Sequence, residues 1–147
     1  MNTNPAVKIA SGKCKDVDAV ILESEALRLA IVPEHGAKMA SLVHKVTGRE
    51  CFFQMPGEKF RKGTYAGPYP DGEMSGFDEM FPTITECFCD VEPWAGVKMP
   101  DHGEVWSLPW KCEISGLEVR TSVHGVRFPY VLTRTVSFAR ANTILLR

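Results

Sequence analysis

Apolar residues along the chain recur in short runs broken by turn residues, and no segment keeps the three-and-four spacing of an amphipathic helix over several turns. Nine stretches rich in β-branched and aromatic residues read as strands: AVILES (19–24), LRLAIV (27–32), KMASLVHKV (38–46), ECFFQ (50–54), PTITECFCDV (82–91), WKCEISG (110–116), LEVRTSVHG (117–125), YVLTRTVSFA (130–139) and TILLR (143–147). Turn chemistry at VTGRE, SGLE and ARAN joins neighbours into antiparallel hairpins. In YVLTRTVSF the apolar Val131, Val136 and Phe138 mix with Thr133, Arg134, Thr135 and Ser137, as expected when one sheet face is packed and the other is wet. The expected fold is therefore all-β, an antiparallel β-sandwich or barrel.

The stretch from Met55 to Asp71, MPGEKFRKGTYAGPYPD, breaks this rhythm with glycine, proline, charge and aromatics, and reads as an irregular loop. Long loops held on a rigid sheet commonly shape binding sites. It leads into GEMSGFDEMFPTI, where Asp78 and Glu79 sit among Phe77, Met80 and Phe81, a partly apolar setting for two acids. The plainer alternative for this pair is a solvated loop exit. At the other end, ARANTILLR stops on an apolar run without a returning partner. The expectation is that residues 1–147 are the N-terminal part of a single larger sandwich domain, incomplete at the C-terminus, with exposed sheet edges open to self-association.

Composition narrows the classes. The 147 residues are 44% hydrophobic and 24% charged, as in a soluble globular domain. With 17 basic and 18 acidic side chains the net charge is -1, and no Lys/Arg-rich block offers a field for nucleic acid. Neither a signal-peptide core nor an apolar run of spanning length is present, so the expected location is cytoplasmic, with no membrane partner. Five scattered cysteines, an odd number without a C-x-x-C pair, favour reduced thiols over disulfides or structural zinc.

The densest chemistry lies in MPDHGEVWSLPW, Met99 to Trp110, where His102 falls between Asp101 and Glu104 and two tryptophans follow. Taken alone His102 is an ordinary turn histidine and Trp106 a core or rim residue; Trp94 and Trp110 read as structural. The ordered segments VPEHGAKMASLVHKVTGRECFF, SGFDEMFPTI, PDHGEVWSLPW and FPYVLTRTVSF, from about Leu27 to Arg147, resemble the galactose mutarotase-like superfamily, especially its aldose 1-epimerase-related members. The resemblance implies a large antiparallel β-sandwich with a free sugar bound in a cleft on one sheet, interconverting α and β anomers in catalytic members, without metal or cofactor.

Anomer exchange needs a proton delivered to the ring oxygen while the C1 hydroxyl loses one. By its place in the motif, His102 resembles the family histidine that helps donate this proton, and imidazole titrates near neutral pH with little tuning. The family's base, a late glutamate, and a second histidine fall beyond the region corresponding to Arg147. Sugar contacts are expected from Asp78, Glu79 and Trp106, and from Arg61, whose other reading is a wet loop face; Asp101 would orient the imidazole. Two alternatives stay open: a carbohydrate-binding member without turnover, and a metal-dependent cupin-like enzyme using His102 with Asp101 or Glu104, which lacks a second histidine at matching spacing.

Overall fold

The computed structural model describes residues 6–147. Eleven strands form along these residues: β1 (Lys8–Cys14), β2 (Val17–Glu23), β3 (Leu27–Val32), β4 (Lys38–His44), β5 (Arg49–Glu50), β6 (Cys87–Phe88), β7 (Lys98–Met99), β8 (Lys111–Ser115), β9 (Glu118–His124), β10 (Val131–Arg140) and β11 (Thr143–Leu146). Strands β1 to β5 form one antiparallel meander in chain order, β8 to β11 form a second, and β6 pairs with β7 as a short ribbon. The chain is all-β, and its architecture is sandwich-like. Leu22, Leu29, Ile31 and Met39 of the first sheet pack against Val119, Val123 and Val136 of the second, with Val105 and Trp110 closing the core. No helix among the described residues is long and apolar enough to cross a membrane.

The first sheet is covered on both faces. Alternation along β3 sends Leu29 and Ile31 into the inter-sheet core, while Ala30 and Val32 join Ala19, Ile21 and Ala40 under Phe60 of the long loop. That loop thus forms a third layer. Polar groups pin it: Asp16 accepts from the Phe60 amide at 2.7 Å, and Lys15 at the β1–β2 turn donates to both Glu73 oxygens at 2.9 and 3.0 Å. Burial opposes ionisation of Glu73, but hydrogen bonds from Ser75, Lys15 and the Arg61 amide outweigh it and hold its carboxyl below the usual range. A lowered folded value means the stabilisation is present above the unfolded pKa and is lost as pH falls through the folded one. Urea midpoints should therefore drop from about pH 5 downward, and Glu73→Gln should flatten that limb; an equally steep limb in the variant would count against this assignment.

Several strands differ from the sequence reading. Strand β1 is not legible from the sequence because KIASGKC mixes lysine, serine and glycine with few apolar residues. It is an edge strand whose Gly12 lies against the side chain of Ile21 across the pair, where a Cβ would come within 2.7 Å of it. ECFFQ shrinks to the end of β5, since the Glu50 carboxylate takes the amides of Leu42 at 2.8 Å and Phe52 at 3.0 Å, turning the chain out of the ladder. PTITECFCDV keeps only Cys87–Phe88 as strand.

The inward phase of β10 also differs. Leu132, Val136 and Phe138 pack on the core, whereas Val131 is 57% exposed and Arg134 only 4%. The guanidinium of Arg134 donates to Glu79 at 3.1 Å and to the Ala37 carbonyl, and lies 5.6 Å from the Trp110 ring centroid. These contacts tie the second sheet to the first and offset part of the cost of burying the cation, whose Nε has no hydrogen-bond partner among the described residues.

Candidate functional site

His102 sits on a turn. Its φ is 58° and that of Gly103 is 75°. Left-handed backbone is uncommon outside glycine, though histidine tolerates it better than most residues, and such positions persist where surrounding bonds impose them. Here the bonds are all main-chain: the His102 amide donates to Ile84 O at 2.9 Å, Gly103 to Pro100 O at 3.0 Å, and Glu104 to Phe81 O at 2.8 Å. A Cβ on Gly103 would run into the Phe81 backbone.

The imidazole is stacked on Tyr69, with ring centroids 4.1 Å apart and planes 9° from parallel. Its Nδ1 is buried and lies 2.9 Å from Asp101 Oδ1, off the line of a directed hydrogen bond. The side chain as a whole remains 25% exposed although Nδ1 is buried. No other carboxylate among the described residues lies within ion-pair reach of this ring.

Tyr69 is fixed in turn. It begins a short 3-10 turn, Tyr69–Asp71, and its hydroxyl donates to Asp78 Oδ2 at 2.7 Å. The same Asp78 oxygen takes the ammonium of Lys38, which also donates to Ser75 O at 2.9 Å. Both partners of this ion pair are 2% exposed. Burial lowers the Lys38 pKa although Asp78 opposes it, and burial together with the bond to Asp78 raises that of Tyr69 well above the ordinary phenol. Because the unfolded chain holds the lysine proton more tightly, the stability contributed by Lys38 should rise with pH between its lowered folded value and the unfolded 10.5. Alkaline urea titrations of the protein and of Lys38→Met should show this slope and its loss; parallel curves would contradict it.

Trp106 meets the edge of Tyr69 at 5.1 Å and 75°. It is buried, at 3% exposed, and Gly63 and Gly72 lie flat on its ring where any Cβ would overlap it. The glycines of the long loop thus let that loop close over the indole. Trp106 supports the aromatic floor from below and presents no open face to a ligand.

The remaining candidates are spread apart. Glu79 is held by Arg134. Arg61 uses its backbone amide on Glu73 at 3.2 Å, while its side chain is exposed and forms no ion pair among the described residues. Glu104 is wholly buried and accepts four hydrogen bonds, from Tyr65 at 2.7 Å, Tyr130 at 2.9 Å, and the amides of Val126 at 3.1 Å and Arg127 at 2.9 Å. Burial and this bond push the Tyr65 hydroxyl up to about 12. Glu104 therefore turns away from His102, and among the described residues no three His, Cys, Asp or Glu side chains gather as metal ligands. The cupin-like donor set is not assembled.

Sequence reasoning missed Tyr69, Lys38 and Ser75. Lys38 carried a faint signal, a lysine opening β4 in phase with Ala40; Tyr69 carried none, since its partners are distant in sequence. No protein-family model and no curated protein matches the chain.

Proposed function

We propose that the protein is a carbohydrate-binding aldose 1-epimerase-like isomerase in which His102 exchanges a proton with the bound sugar. The observation that supports this best is the presentation of the imidazole: one face rests on Tyr69, Nδ1 is turned to Asp101, and 25% of the side chain stays exposed. A ring so placed can donate a proton to a ring oxygen near neutral pH. On this reading the general base comes from outside residues 1–147, since Asp78, Glu79 and Glu104 are each committed to other partners. That same commitment favours a second reading, a sugar-binding member without turnover. All five cysteines are free thiols, which suits a reducing, cytoplasmic setting. Association of copies through exposed sheet edges belongs to the same proposal.

The test is NMR on the labelled chain with galactose and with glucose, following the His102 ring and saturation transfer between the anomeric protons. With the base outside these residues the labelled chain alone should shift the ring without speeding exchange; exchange that added acetate then accelerates supports the isomerase, and ring shifts with no exchange even in acetate support the binding protein. If neither sugar moves the ring, both readings fail.

A further inference from the structure

We infer that Tyr69 is a positioning residue for His102, and that the buried Lys38–Asp78 pair acts on the imidazole through it. The inference rests on the reading of His102 as the group that meets the sugar. It gives Asp78 a role other than the sugar contact expected from sequence.

The turn around His102 fixes only its main chain; no hydrogen bond holds the ring itself among the described residues, and Asp101 approaches off axis. What limits rotation of the side chain is the face of Tyr69, 9° from parallel. Tyr69 is held at both ends, by the edge contact with Trp106 and by its hydroxyl on Asp78. Asp78 cannot swing towards a ligand, because the Lys38 ammonium and the Tyr69 hydroxyl share one of its oxygens and its side chain is almost wholly buried. A carboxylate beneath the surface therefore sets the direction of the imidazole above it, with the tyrosine as the link. Proton transfer depends steeply on such alignment: a misplacement of about 1 Å can cost on the order of 10²-fold in rate.

The experiment uses the full chain labelled with ¹³C and ¹⁵N, its His102 ring signals assigned by their loss in His102→Asn. A stacked tyrosine shields the imidazole protons and places them upfield of a free imidazole. Tyr69→Leu should return them to the free position, while Tyr69→Phe, which removes the hydroxyl that Asp78 anchors, should reduce the shielding at least as much as Asp78→Asn, which only weakens that anchor. Signals of Val119 and Val136 report whether the core is intact; should Tyr69→Leu unfold, the graded response of Tyr69→Phe and Asp78→Asn carries the test. Where the chain accelerates anomer exchange, Tyr69→Leu should lower kcat by about 10²-fold with a smaller change in KM. Unshielded His102 protons in the parent protein, or protons unmoved by loss of the tyrosine ring, would overturn the inference, as would an unchanged kcat. Shielding that follows Tyr69 in a chain that no sugar perturbs would instead sink the proposed function and leave the positioning role standing.

Discussion

Glu104→Ala is expected to destabilise the fold by about 3–5 kcal/mol, enough to consume much of the roughly 5–15 kcal/mol that holds an ordinary domain together. The carboxylate is fully buried and gathers two phenol hydroxyls and two backbone amides, joining the Tyr65 loop, the His102 turn and the segment after β9. Removing it orphans those donors in a place water reaches poorly. Glu104→Gln keeps the shape but rescues little. Each carboxylate oxygen serves one tyrosine and one amide, and while a hydroxyl can rotate to accept from the new NH₂, a backbone N–H cannot. Urea unfolding followed by tryptophan fluorescence checks this, and a midpoint shift equivalent to less than about 0.5 kcal/mol, the range of ordinary surface changes, would refute it.

His102→Asn should reduce any anomer exchange catalysed by the protein by about 10²- to 10⁴-fold, the usual contribution of a positioned acid or base. Asparagine is the informative replacement, since it also tolerates left-handed backbone and so leaves the main-chain bonds of the turn in place. Loss of rate then reports on the imidazole and not on a collapsed loop. Sugar affinity should fall much less. Polarimetry at neutral pH measures the rate, and an unaltered rate in the variant would remove the histidine from the reaction.

How much was legible beforehand depended on the range of the interactions. Strands β2, β3, β4, β8, β9, β10 and β11 announce themselves through local alternation and turn residues, and the all-β class follows from them. Strand β1 hides because an edge strand need not be apolar. The phase of β10 was obscured by Arg134, whose burial depends on Glu79, Ala37 and Trp110, all remote in sequence. At the site, the crowding of charge and aromatics around His102 could be seen in the chain itself, but the stack on Tyr69 and the ion pair beneath it could not. Asp78 and Lys38 are forty residues apart. Trp106 looked like a ligand platform until the glycines at 63 and 72 showed what covers it.

The histidine's bend is secured by the carbonyls of Ile84, Pro100 and Phe81, which accept from the amides of His102, Gly103 and Glu104, and none of these bonds depends on the identity of the side chain it displays. Position 102 is thus a socket. Residues able to adopt its backbone twist could be exchanged there without rebuilding the surroundings, which makes the spot suitable for grafting a different reactive group onto an unchanged scaffold.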